Sequence, residues 1–225
     1  MSLLRTSSLA SLLFVAACAS LPDEATSVVA TPAPFERLAA GNRRFAEGVA
    51  LGFGRDPQRR TEVAKAQRPF AIVVTCSDSR VCPELLFDAG LGDLFVVRTA
   101  GHVLDDHALG SIEYAAEHLG AHALLVVGHE RCGAVAAAMG SSELPGHIES
   151  LATAIRPAIA PLLDGRDAAD ACVAENVRAT VAALRESGPI LHELVEAGTL
   201  EVKGGVYDLD TGVVEFVETK AAGEH

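Results

Sequence analysis

The sequence predicts an α/β domain: a mostly parallel β-sheet flanked by helices, with one antiparallel strand at an edge. Three observations predict it. "FAIVVTC" (70–76), "LFVVRT" (94–99) and "ALLVVGH" (123–129) are unbroken β-branched and aliphatic runs, the pattern of parallel strands covered on both faces. Between the second and third, "DDHALGSIEYAAEHLG" sets Leu109, Ile112, Ala116 and Leu119 on one helical face, completing a strand–helix–strand unit. "TLEVKGGVYDLDTGVVEFVE" reads as two strands around Asp210-Thr211-Gly212, which supplies the antiparallel edge.

In chain order, "MSLLRTSSLASLLFVAACAS" has Arg5 and then an apolar run from Leu9 to Ala17, too short to span a bilayer and of the length found in secretory signals. Val15-Ala16-Ala17-Cys18 resembles the lipobox of bacterial lipoproteins. Residues 1–17 are therefore expected to be a signal peptide, with Cys18 lipidated and the mature protein anchored in the periplasm or at the cell surface. Cleavage at Ala17-Cys18-Ala19 and soluble secretion is the alternative. Residues 18–33 read as a flexible tether, 34–220 as the domain and 221–225 as a tail. "PFERLAAGNRRFAEG" is an amphipathic helix ending at Gly48. Asp105 or Asp106 caps the next helix, Gly120 stops it, and 148–197 is mostly helical.

The 225 residues carry a net charge of -12, no tryptophan and only 4% aromatics, which disfavours nucleic acid and anionic lipid surfaces as partners. Contact with a membrane is expected only through the lipid.

The chemistry gathers at strand ends. Cys76 ends one apolar run and His129 ends another, and ligands of parallel sheets bind at the carboxyl ends of strands. Cys132 follows in "GHERCGAVAAAM", at the start of an alanine-rich helix whose N–H groups favour a thiolate. Two thiolates and an imidazole suit Zn²⁺, and three protein ligands leave a fourth position open for an activated water. Asp78 is placed to reach that position, where it would be a conditional fourth ligand, and Arg80 is placed to hold it away by a bidentate pair. Each residue alone is weak: a cysteine after a strand is commonly a small buried hydrophobe, and an Asp–Arg pair a solvated loop contact. Together they point to a catalytic metal site.

"CSDSRVCPE", "GDLFVVRTAG", "GSIEYAAEHLG" and "VVGHERCGA" resemble the β-class carbonic anhydrases, in order and at matching intervals from about residue 35 to 217. The resemblance implies that fold, one Zn²⁺ per subunit on Cys76, His129 and Cys132, and Asp78 with Arg80 as the gate. It also implies reversible hydration of carbon dioxide to bicarbonate by zinc-bound hydroxide. It further implies substrate contacts from Gln67, Phe95, Ala100, Tyr114 and the Gly133 N–H, some of them supplied by the neighbouring subunit of a homodimer or larger homo-oligomer. The plainer reading of Gln67 is a surface loop residue before Pro69, and that of Tyr114 is core. Two departures stand out: Ala100 is smaller than the valine of plant-like members, and "RTAGH" replaces an Asn-bearing loop, leaving His102 without an implied role.

His102, His107 and His147 are proton-shuttle candidates by residue type alone. Cys82 and Cys172 remain, as a disulfide or as two buried thiols. Rival readings are a structural zinc protein closed by Asp78, a hydrolase of carbon disulfide or carbonyl sulfide, and a thiol redox enzyme; the last is disfavoured because Cys76 and Cys132 form no CxxC.

Overall fold

Five strands form one sheet in the order β2-β1-β3-β4-β5: β1 (Ala71–Cys76), β2 (Leu94–Thr99), β3 (Ala123–His129), β4 (Glu201–Tyr207) and β5 (Val214–Val217). The computed structural model describes residues 32–163 and 168–219; the expected signal peptide, Cys18, the tether up to residue 31 and the tail 221–225 lie outside them. β1 pairs in parallel with β2 and β3, β3 pairs in parallel with β4, and β5 runs antiparallel on β4. The three apolar runs are thus the three strands expected, and the closing pair supplies the antiparallel edge.

Helices cover both faces because β1 and β3 are mostly apolar and buried at every position. On one face Ile72, Val74, Leu124 and Val126 meet α4 (Asp106–Glu117), α7 (Ala168–Arg185) and α8 (Ile190–Glu196) through Ile112, Val177, Val181, Leu184 and Leu191. On the other, Ala71, Val73, Leu125 and Val127 meet α1 (Pro34–Ala46) through Phe35 and Leu38, and α3 (Pro83–Leu86) through Leu86. Truncating Ile72, which is fully buried, to Ala would cost about 2–5 kcal/mol.

Of the two cap candidates for α4, Asp105 is the one used: its Oδ1 accepts the Ala108 N–H at 2.8 Å. The helical stretch 148–197 divides into α6 (Ile148–Ile159), α7 and α8. Two short helices were not anticipated, α2 (Pro57–Val63) and α3; each starts on proline, whose fixed φ and missing N–H suit the first helical position. α5 (Gly133–Met139) follows Cys132 as expected. A third cluster, under the carboxyl ends of the strands, joins Cys76 and Cys132 to Val135 of α5, Ile155 of α6, and Cys172 and Val173 of α7.

α7 lies hard against the sheet. A Cβ on Gly128 of β3 would stand 2.6 Å from Val177 Cγ2, so only glycine allows this approach.

Candidate metal centre

β1 and β3 are neighbours, but the chain leaves β1 for β2 on one side and β3 for β4 on the other. Connections that diverge in this way open a crevice at the carboxyl ends of the two strands. Cys76 is the last residue of β1 and His129 the last of β3, so both reach that crevice. Cys132, one residue before α5, reaches it from the loop beyond. The ligand atoms of Cys76, His129 and Cys132 all lie within 4.8 Å of one another, and all three residues are buried.

The imidazole is oriented for a cation. His129 Nδ1 lies 2.9 Å from the Glu130 carbonyl, which can only accept, so Nδ1 carries a hydrogen and, in the neutral ring that binds a metal, Nε2 presents the lone pair. Nε2 is fully buried and has no hydrogen-bond partner. A buried acceptor left unpaired is costly, and a metal ion is the partner that two sulfurs beside it favour. Of the two thiols, Cys76 is the more acidic: the Cys132 thiol beside it pushes its pKa down most, and the Gly101 N–H, 3.3 Å from Sγ, helps, against burial. Cys132 is pushed up by that same contact and by burial. A bound cation would displace the proton that the thiols share, and the donor set fits Zn²⁺.

Asp78 is clamped by Arg80 as expected. Arg80 Nε donates to Oδ1 at 2.9 Å and Nη2 to Oδ2 at 2.7 Å, while the Arg80 backbone N–H adds a third bond at 2.9 Å. The guanidinium holds the Asp78 carboxyl well below the usual carboxylate range. Its Oδ2 is also 3.9 Å from His129 Nε2, so the clamped carboxylate faces the metal cluster. Sequence reasoning missed Arg98 on β2, which donates to the Cys76 carbonyl at 3.1 Å and the Asp78 carbonyl at 2.7 Å. The signal was a charged residue near the end of an apolar strand, where solvent normally explains it.

The remaining expectations divide. Gly133 begins α5 next to Cys132, and Ala100 follows β2 next to Gly101, so both stand beside the cluster. Gln67, Phe95 and Tyr114 do not share a pocket with it inside one chain. Gln67 is exposed ahead of the amino end of β1, some five strand residues or ~17 Å from Cys76. Phe95 pairs with Ile72, whereas Cys76 pairs with Thr99, a separation of about 13 Å along the strands. Tyr114, on α4, is 47% exposed and stacks on Phe95 with centroids 6.5 Å apart, so it is not core.

Of the shuttle candidates, His107 and His147 are exposed, but His102 is buried, and burial pushes its pKa down to about 4. A ring without solvent contact cannot pass protons to bulk water, so that expectation for His102 is corrected. Cys82 and Cys172 are both free thiols; Cys172 lies buried in the third cluster and its pKa is raised by burial. A second acidic cluster, Glu130 with Asp208 and Asp210, has its own partners: Arg131 donates twice to Asp210 (2.8 and 3.1 Å), and Asp208 accepts the N–H groups of Asp210 and Thr211.

The carbonic anhydrase family profile matches residues 71–214, the span that contains all three ligand candidates. The chain belongs to the carbonic anhydrase family. It is 42% identical to the carbonic anhydrase of Mycolicibacterium smegmatis over 82% of this chain and 92% of that protein. It is 39% identical to carbonic anhydrase 2 of Mycobacterium tuberculosis, over 80% of this chain and 89% of that one. Among solved structures, the β-carbonic anhydrase of Coccomyxa in complex with acetazolamide superposes with a TM-score of 0.67 at 31% identity, covering 84% of this chain and 86% of that one. Family and fold therefore agree with the resemblance read from the motifs: the chain is a β-class carbonic anhydrase and, with it, a carbonate dehydratase.

Proposed function

We propose that this carbonic anhydrase works as a zinc enzyme gated by Asp78 and Arg80, interconverting carbon dioxide and bicarbonate in a pocket shared between two copies of the chain. One observation carries the reading: the buried, unpartnered Nε2 of His129 lies within reach of two sulfurs. Zn²⁺ held by Cys76, His129 and Cys132 would lower the pKa of a water in its fourth position to about 7, a value for which carbonic anhydrases are the reference case.

The protein's own groups do the rest. Held on Arg80, Asp78 leaves the fourth position open, and its Oδ2 accepts the water's hydrogen bond and so aims the oxygen lone pair at carbon. Because its pKa is held low, Asp78 stays a carboxylate at working pH; it orients the water and is not the proton store. Turned off Arg80, the same carboxylate would close the site. Carbon dioxide is small and apolar, so Ala100 suffices as wall on this side, with the Gly133 N–H facing the developing anion.

The rest of the pocket comes from a neighbour. Gln67, Phe95 and Tyr114 stand away from their own cluster, and β2 is an edge strand covered only in part. Two copies joined along this flank would place each set beside the other copy's ligands, which would make a homodimer the smallest complete enzyme. Export with a lipid on Cys18 remains part of the proposal: labelled palmitate should enter the wild-type chain and not Cys18→Ser, and equal labelling would refute it.

The deciding experiment is metal analysis beside a carbon dioxide hydration assay. Wild type should carry one zinc per chain and be active, and Cys76→Ser should lose both. Active protein without zinc would end the reading.

A further inference from the structure

His102 is the buried group that the reaction leaves unused. It ends the turn Ala100–His102 after β2, with φ +48° beside Gly101 at +64°, two successive left-handed residues. The first favours glycine, because of its positive φ and because a Cβ there would crowd Ile155 Cδ1 at 2.7 Å and Ala134 Cβ at 3.0 Å; a histidine at the second is a strained choice. Such a backbone persists only where its surroundings hold it.

The holders are on α7. Asn176, 5% exposed, donates from Nδ2 to the Gly101 carbonyl at 3.1 Å and to His102 Nε2 at 3.3 Å. The amide has two hydrogens, so both bonds form together and Nε2 is the acceptor. His102 Nδ1 then carries the ring hydrogen and donates it to Thr180 Oγ1 at 3.2 Å, and that hydroxyl gives its own hydrogen to the Asn176 carbonyl at 2.8 Å. Each hydrogen in the ring of contacts has one assignment, and the imidazole is neutral. At the other side of the same turn, the Gly101 N–H points at Cys76 Sγ from 3.3 Å.

We propose that Asn176 and His102 are positioning residues that hold the Gly101 N–H on the Cys76 sulfur and thereby set how strongly that sulfur donates to the metal. The inference rests on the metal reading above. An N–H aimed at a thiolate draws charge from it and fixes its direction. Losing the bond makes the sulfur a richer donor, which lowers the charge-transfer energy, but frees it to leave the ligand geometry, and that loss of orientation outweighs the gain in donation for affinity. Without Asn176 the Gly101 carbonyl loses its side-chain grip, and a glycine is free to rotate its N–H away.

The test loads purified wild type and variants with Co²⁺ and reads the sulfur-to-cobalt charge-transfer band, with zinc affinity measured by chelator competition. Asn176→Leu and His102→Leu should move the band to longer wavelength and weaken zinc roughly tenfold or more. His102→Gln, whose amide stands where Nε2 stood, should restore both. Thr180→Val, at the outer end of the network, should give a smaller shift of the same sign, and it serves if the leucine variants fail to fold. Wild type that loads cobalt while every variant keeps its band and affinity overturns the proposal and leaves the metal reading intact. A leucine shift that His102→Gln does not reverse assigns the effect to packing and also overturns it. Wild type that binds neither ion overturns both.

Discussion

At the carboxyl ends of β1 and β3, Cys76 and His129, 53 residues apart in sequence, come together with Cys132 in a buried cluster. Along β2 and α4, Phe95 and Tyr114 stack in a half-exposed position, and Gln67 sits exposed at the opposite end of β1. The first region is finished within one chain, as a metal site requires: ligand atoms must be dry and pre-oriented, and only a packed core provides that. The second is unfinished. An exposed tyrosine and a half-buried phenylalanine on an edge strand have the character of a surface that another copy covers. The difference teaches that, if the proposed function holds, metal affinity and substrate handling are separable in this protein, the one a property of the protomer and the other of the assembly.

The largest effect should come at the finished region. Asp78→Asn keeps all three zinc ligands and loses the charge that Arg80 holds in place, so kcat/KM should fall about 100-fold with metal content unchanged. Full turnover in this variant would make the carboxylate a bystander.

The unfinished region gives the next effect. Gln67→Ala should lower kcat/KM about tenfold at full zinc occupancy, because one hydrogen-bond donor to the developing anion is lost. Mixing it, after reversible dissociation, with inactive Cys76→Ser separates the two regions directly. If Gln67 serves the neighbouring cluster, random dimers regain about a quarter of wild-type activity, because half of them contain one complete site. If it serves its own chain, mixing restores nothing.

The smallest effect is on stability and belongs to the ring behind the metal cluster. His102 has its pKa pushed down to about 4 by burial, below the ordinary 6.5. The unfolded chain therefore binds the proton first, and stability is complete above pH 6.5 and falls as pH drops toward 4. The loss approaches 3 kcal/mol, to order of magnitude. Urea midpoints from pH 7.5 to 4.5 should show this slope in wild type and lack it in His102→Gln. Equal slopes would mean that the ring is not neutral and enclosed.

Much of this was legible in the chain. Mostly apolar runs gave the strands to within a residue, because burial on both faces of β1 and β3 leaves few polar positions to blur them. Cys76, His129 and Cys132 were legible because ligands at strand ends need no knowledge of distant packing. Arg98 was not, since nothing in "LFVVRT" says that its guanidinium turns back to two carbonyls of the neighbouring loop. α2 and α3 were missed because helices of one or two turns carry too little periodicity to register.

By itself, then, the sequence determined the sheet, the meeting of Cys76, His129 and Cys132 and the pairing of Asp78 with Arg80, all of which rest on patterns a few residues long. Only the tertiary structure decided that Gln67, Phe95 and Tyr114 stand apart from that trio, and that His102 is enclosed by Asn176 and Thr180. The reason is distance along the chain. Those relations depend on how closely α7 packs on the sheet over Gly128 and on which end of a strand a loop enters, and neither is written in any local run of residues.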